Sequence, residues 1–100
     1  MDEPLTWQYP SGIPASANCL EGHFPGNPIV PGAYLLALAE ACLSDAGWRI
    51  ASVRRVKFRA PLRPEEAFAL SAIPTVRGVS LQWIRSGLKI AEATVTLQAR

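Results

Sequence analysis

The sequence predicts an α+β domain in which an antiparallel sheet wraps around one central helix. A single apolar helical segment near residues 30–46 is followed only by strand-like segments that turn residues separate, and this order is typical of such a fold. With 100 residues and 49% hydrophobic content, one domain covering residues 1–100 is expected to build a modest core. Dimerisation would add buried surface to a chain of this size.

The first half of the chain contributes the helix and two short strands. Prolines and glycines limit the N-terminal part to a strand around residues 5–9 and a short strand near 16–20. The helix is expected to run over residues 30–46. Pro31 suits its first turn because that N–H needs no helical partner, and Gly47 suits its C-terminal end.

The second half predicts four antiparallel strands. In residues 53–62 apolar side chains largely alternate with basic ones, which indicates a half-buried strand. A second strand is expected over residues 66–74. Residues 79–84 and 88–98 read as a hairpin that turns at 85–87.

The loop before the helix holds His23, the only histidine, among several prolines. Proline fixes φ and restricts the residue before it, so this loop should be stiff. Imidazole exchanges a proton near neutral pH without much environmental tuning, which makes His23 a candidate general base. The alternative is that His23 only hydrogen-bonds its own loop.

The start of the helix is a candidate electrophilic site. Gly32 follows Pro31 and leaves the backbone open to close approach by a ligand. Unpartnered N–H groups and the positive end of the helix dipole suit a developing oxyanion or a polarised carbonyl.

Two motifs carry a family resemblance. Residues 22–32 read Gly-His-Phe-Pro-Gly-Asn-Pro-Ile-Val-Pro-Gly, and residues 56–64 read Val-Lys-Phe-Arg-Ala-Pro-Leu-Arg-Pro. With the apolar helix between them, they resemble the 3-hydroxyacyl-ACP dehydratases of fatty-acid and polyketide-type pathways, which have the hot-dog fold. The resemblance implies that His23 acts as base or acid on C2 and C3 of the substrate, and that the Gly32 N–H binds the thioester carbonyl. It implies no metal or redox cofactor.

The sequence departs from this family at the second catalytic group. Family sites form across a dimer, with the histidine and a helix carboxylate from different subunits. The carboxylate usually falls fourteen positions after the histidine, which is Ala37 here. Glu40 lies about 60° around the helix and about 4.5 Å further along it, and is the candidate acid. A helix so apolar is expected to be buried all round; alternatively, Glu40 lies on a solvent- or subunit-facing strip.

Apolar residues near the motif are candidates for substrate contact. Phe24, Pro31, Tyr34 and Leu38, together with Trp83, are expected to line an acyl-chain tunnel. Aromatic and aliphatic residues at these spacings are more often simply core, and that alternative stays open.

Basic residues cluster after the helix. Six of the ten lysines and arginines fall within residues 49–63. Acyl carrier proteins are acidic, so Arg55, Lys57 and Arg59 are candidate docking residues; the alternative is the solvent face of a strand. No nucleic-acid motif accompanies the charge, and nucleic-acid binding is not expected.

The lack of a long apolar run, the character of the N-terminus and the use of cysteine predict a cytoplasmic protein. No apolar run reaches the roughly 18 residues that span a bilayer, and the N-terminus does not resemble a signal peptide. Cys19 and Cys42 fit neither a disulfide framework nor, with one histidine, a zinc site, and both are expected to be buried thiols.

The resemblance and the departure together leave several functions open. The first is a dehydratase of acyl-ACP or acyl-CoA thioesters in fatty-acid, polyketide or aryl-polyene type biosynthesis, acting as a homodimer or as a heterodimer with a related hot-dog subunit. The alternatives are an acyl thioesterase and a catalytically degenerate acyl-ACP-binding subunit of a heterodimeric dehydratase.

Overall fold

The fold is known from a computed structural model that describes residues 1–17 and 29–100. These residues form one helix and five strands. In chain order the elements are β1 (Leu5–Tyr9), α1 (Gly32–Asp45), β2 (Trp48–Phe58), β3 (Phe68–Thr75), β4 (Gly78–Arg85) and β5 (Leu88–Ala99).

The five strands form one sheet in the order β1-β3-β4-β5-β2, and every neighbouring pair is antiparallel. Alternate residues of β3, β4 and β5 are buried, and together with one side of α1 they form the core. The predicted hot-dog architecture of one helix against an antiparallel sheet is confirmed. The most enclosed large side chains are Leu43, Leu62, Leu70, Leu81, Trp83, Ile90 and Val95.

The ends of α1 follow from local chemistry. Pro31 is the N-cap, with φ −62° and ψ 143°, so the helix begins at Gly32, two residues after the predicted start. At the other end the Gly47 N–H donates to the Ser44 carbonyl at 3.0 Å, and Gly47 has φ +93°. That left-handed conformation favours glycine, and the predicted stop at Gly47 is confirmed.

Strand β2 differs most from its prediction. It covers Trp48–Phe58 rather than residues 53–62, and most of its residues are exposed. The reason is its place at the end of the sheet, where β5 is its only neighbour among the described strands. Irregular register between Ile50 and Ser52 and between Val53 and Arg55 also interrupts the alternation of faces. The expected half-buried strand is therefore an exposed edge strand.

Two further strand predictions need correction, and one of these two strands lies partly outside the described residues. The strand expected from residue 66 begins at Phe68. Of the short strand expected at 16–20, residues 18–20 lie outside the described part of the chain, and the Ala17 N–H donates to the Pro14 carbonyl at 3.0 Å in a turn. The strand at Leu5–Tyr9 and the final hairpin are confirmed. No helix in residues 1–17 and 29–100 has the length and apolar character needed to cross a membrane.

Candidate functional site

The predicted base His23 and the predicted substrate contact Phe24 belong to residues 18–28, which the structure does not describe. Cys19 lies in the same segment. Their roles stay predictions. Ile29, the next residue that the structure describes, lies three residues before the start of α1.

A cavity of about 400 Å³ lies beside the start of α1. One wall comes from the chain before and within the first turn of the helix, and the other from the end of β2 and the segment after it. Its lining is mostly apolar, as an acyl chain requires. The lining residues are Ile29, Val30, Pro31, Gly32, Leu35, Phe58, Arg59, Ala60, Pro61 and Leu62.

Backbone hydrogen bonds hold these two walls together. The Val30 N–H donates to the Leu62 carbonyl at 2.8 Å, which fixes the entry to the helix against the segment after β2. That segment is fixed in turn by Arg85, whose guanidinium donates to the Pro61 carbonyl and lies 3.4 Å from the Glu66 carboxylate. The helix start is thus anchored at a defined place beside the cavity.

The first turn of α1 has N–H groups that find no partner in the part of the chain that the structure describes, and Gly32 lines the cavity. Pro31 has no N–H, and its carbonyl accepts from the N–H groups of Tyr34 and Leu35 at 3.0 and 3.3 Å. No side chain caps the helix. Among the described residues the N–H groups of Gly32 and Ala33 have no partner. Such groups at a helix N-terminus attract negative charge, so they suit a thioester oxygen that gains charge during a reaction.

Gly32 lies in close contact with the ring of Phe58. A Cβ atom built on Gly32 would overlap Cζ, Cε1 and Cε2 of the Phe58 ring. The ring is 53% exposed, so it is a cavity wall rather than a core residue. Reasoning from the sequence did not identify Phe58 as a site residue. A signal was present, because Phe58 stands at the end of the apolar face that Val53, Val56 and Phe58 form on the predicted strand.

The other predicted substrate contacts are placed differently. Pro31 lines the cavity, whereas Tyr34 and Leu38 are half-buried and pack against the core without lining it. Trp83 is fully buried in the core, and its Nε1 has no hydrogen-bond partner among the described residues. A role of Tyr34 and Leu38 in binding the acyl chain remains a prediction.

The exposed strip of α1 carries Ala33, Ala37, Glu40 and Ala41. The expectation of a helix buried all round is wrong, because small alanines make this strip look apolar in the sequence. Glu40 lies on it beside the position of the missing carboxylate, Ala37. It is eight residues from Gly32, about 12 Å along the axis, and does not line the cavity. Glu40 therefore faces outward, where a neighbouring subunit can be reached.

The three candidate docking residues have unequal surroundings. Arg59 lines the cavity and donates to Glu92 at 2.9 Å, and Lys89 also lies 3.1 Å from that carboxylate. Hydrogen bonds from Lys89 and then Arg59 lower the pKa of Glu92 below its ordinary value. Arg55 and Lys57 are exposed on β2 and have no ion pair within the described residues.

Cys42 is a buried free thiol on α1, as predicted. Its Sγ lies 2.9 Å from the hydroxyl of Tyr9, whose ring stacks on Phe68 at 4.7 Å. Burial, followed by the hydrogen bond to Cys42, raises the pKa of Tyr9 above its ordinary value. The pair ties β1 to the helix and lies outside the cavity.

Two curated relatives align with this chain. One is a 3-hydroxyacyl-[acyl-carrier-protein] dehydratase FabZ from Geobacter metallireducens, 34% identical over 93 residues, which covers 79% of this chain and 60% of the relative. The other carries the same name in Ehrlichia chaffeensis and is 36% identical over 58 residues, covering 50% of this chain and 41% of the relative. This chain thus spans about half the length of the curated relatives it matches.

A solved structure shares the whole fold. A chain of the dehydratase heterocomplex ApeI:P from Xenorhabdus doucetiae superposes with a TM-score of 0.81 at 19% identity, covering 100% of this chain and 90% of that chain. The model of the ApeI-like family, described as ApeI dehydratase, matches residues 2–86. That match takes in α1, the end of β2 and every described residue of the cavity wall, and the chain belongs to the ApeI-like dehydratase family.

Proposed function

We propose that this chain is a dehydratase subunit that removes water from 3-hydroxyacyl thioesters carried by an acyl carrier protein. The observation that carries the proposal is a pair of N–H groups, on Gly32 and Ala33, that have no partner within residues 1–17 and 29–100 and lie beside a mostly apolar cavity. The family membership and the motif histidine His23 support it.

In the proposed reaction the thioester carbonyl lies against the Gly32 N–H. His23 removes the proton from C2, and the charge that develops on the carbonyl oxygen is stabilised by that N–H and by the helix dipole. A carboxylic acid then gives its proton to the C3 hydroxyl, which leaves as water as the C2–C3 double bond forms. Atoms and charge balance without a metal or redox cofactor.

The acid in this scheme comes from a second subunit. Ala37 has no titratable group, and Glu40 is on the exposed strip about 12 Å along the helix from Gly32. We therefore propose a dimer in which His23 meets a carboxylate of the neighbouring subunit, while Glu40 faces the neighbour's site. The heterocomplex structure of the ApeI:P dehydratase supports a related but different hot-dog subunit as the partner.

The test is turnover of a 3-hydroxyacyl-ACP with two products measured together, the enoyl thioester and the free thiol. Enoyl formation without thiol release is expected. Thiol release without enoyl product would replace the proposal with a thioesterase. The chain is assayed alone and together with a hot-dog subunit from the same genome. If acyl-ACP binds saturably but neither product forms in either assay, the chain is a non-catalytic binding subunit.

Glu40→Gln is expected to lower turnover by at least about tenfold when the chain is assayed alone at high protein concentration. The reason is that glutamine keeps the size of the side chain but supplies no proton. In a pair of identical chains Glu40 is the only candidate acid on the exposed strip. Asp45→Asn is the matched control, since Asp45 is an exposed carboxylate at the far end of α1. Equal rates for Glu40→Gln and wild type would remove Glu40 from the mechanism.

We also propose that the carrier protein docks near Arg59, with Arg55 and Lys57 extending the positive surface along β2. Arg59 is the one of the three that lines the cavity, where the pantetheine arm must enter. Arg59→Glu is expected to raise KM for acyl-ACP several-fold and to leave KM for an acyl-pantetheine unchanged, because only the carrier is acidic. An equal change with both substrates would show that Arg59 acts in the cavity and not in docking.

A further inference from the structure

A surface hollow of about 470 Å³ lies between strand β2 and the turn that joins β3 to β4. We name it the arginine hollow, because three arginines line it and, among the described residues, no Asp or Glu does. No residue lines both the arginine hollow and the cavity at the start of α1. The lining residues are Arg54, Arg55, Thr75, Val76, Arg77 and Thr94.

A bulge in β2 brings two consecutive arginines to the arginine hollow. Val53 pairs with Val95 in the register between β2 and β5. The next pair joins Arg55 to Thr94, so Arg54 is an extra residue on β2. Thr94 lies between two buried residues of β5, which puts Arg55 on the sheet face away from the core. Bulges redirect side chains, and Arg54 lines the same hollow as Arg55.

The turn between β3 and β4 supplies the third arginine. Thr75 and Gly78 pair directly across this two-residue turn. The Thr75 hydroxyl accepts from the Arg77 N–H at 3.3 Å and donates to the Gly78 carbonyl at 3.2 Å. Gly78 has φ +137°, and a Cβ atom there would overlap the Val95 carbonyl, so the turn lies close against β5. Arg77 is thereby held near the bulge of β2.

The three guanidinium groups are available to a ligand. Within residues 1–17 and 29–100 the side chains of Arg54, Arg55 and Arg77 have no ion pair or hydrogen bond. Guanidinium groups bind phosphate oxygens through paired hydrogen bonds, and three together suit a ligand with more than one negative charge. The side chain of Val76 is fully exposed beside them and offers an apolar contact. A hollow of this volume has the size of a small-molecule site.

We propose that the arginine hollow binds a diphosphate ester such as a nucleoside diphosphate, with the phosphates on the three arginines and the organic part against Val76. An inorganic anion would use the charges but not Val76. A nucleobase also stacks on the plane of a guanidinium group. The inference goes beyond the proposed dehydratase function, because this binding uses no residue of the cavity and no catalytic step.

The test is isothermal titration calorimetry of the full chain with ADP and with pyrophosphate, in buffer without divalent cations. Both probes contain the diphosphate, and only ADP carries a nucleoside. Saturable binding of both is expected, with several-fold higher affinity for ADP. Arg54→Gln/Arg77→Gln is expected to lower both affinities by at least about tenfold, because charge-assisted hydrogen bonds to phosphate are lost. Val76→Ser is expected to lower the affinity for ADP alone.

The matched control is Arg49→Gln/Lys89→Gln, which removes two cations that do not line the arginine hollow. Its affinities for both probes should equal those of wild type. An equal loss in the control variant would mean attraction by net charge and would overturn the proposal, as would a failure of both probes to bind saturably. Equal affinity of wild type for ADP and pyrophosphate would overturn the assignment of an ester. No thioester substrate is present, so failure here is separate from failure of the dehydratase assignment.

Discussion

Replacing His23 with alanine is expected to lower enoyl formation by about 10²- to 10⁴-fold, the usual contribution of a positioned general base. The expectation depends on the motif at residues 22–32 and on the donors at Gly32, because a base is productive only where the developing charge is stabilised. The measurement is the initial rate with saturating 3-hydroxyacyl-ACP, following enoyl product and free thiol in the same sample.

His23→Gln separates chemistry from loop structure. Glutamine donates and accepts hydrogen bonds but does not exchange a proton near neutral pH, so it restores a role in holding the loop and leaves the base missing. Both variants should be equally inactive while binding acyl-ACP with wild-type affinity. Recovery of turnover in His23→Gln would mean that His23 only supports its loop.

The elements of this fold that depend on local sequence were predictable. An apolar run between Pro31 and Gly47 is a helix because a proline suits its N-cap, where no N–H partner is needed, and a glycine ends it in a left-handed conformation. The final hairpin is equally local, since Arg85 and Leu88 pair directly across a two-residue turn that contains Gly87. Such features need no knowledge of distant contacts.

Other features depend on partners far away in the chain. Strand β2 looks half-buried by its alternation, but of the described strands it pairs only with β5, some forty residues later, and that pairing puts it at the edge of the sheet. Glu40 looked enclosed because its neighbours on the exposed strip are alanines, which the sequence pattern cannot distinguish from core. In both cases the missing information was which surface another element covers.

The contact between Gly32 and Phe58 is the clearest example at the site. The sequence explains a glycine at position 32 by the close approach of a ligand to its N–H, whereas the structure adds that the Phe58 ring lies where a Cβ atom would be. These are two different requirements. Alanine retains the N–H but violates both requirements, so a second substitution at Phe58 is needed to distinguish them.

Gly32→Ala is expected to lower turnover by about 10²-fold, which is comparable to the loss of one oxyanion donor. The new methyl group overlaps three atoms of the Phe58 ring, so either the ring or the first turn of α1 must move, and the N–H groups move with the turn. Because the ring is the half-exposed end of a side chain, it can move at low cost, and thermal unfolding should show only a small fall in Tm. Turnover and Tm are measured on the same preparation.

The double variant Gly32→Ala/Phe58→Ala decides why the glycine is needed. Removing the ring removes the overlap, so the double variant should recover turnover to the level of Phe58→Ala alone, together with the Tm lost in Gly32→Ala. Because Phe58 is half exposed, Phe58→Ala by itself should change stability less than a core truncation does. If the double variant remains as inactive as Gly32→Ala, the methyl group blocks the thioester itself, and the glycine is required by the substrate rather than by the Phe58 ring.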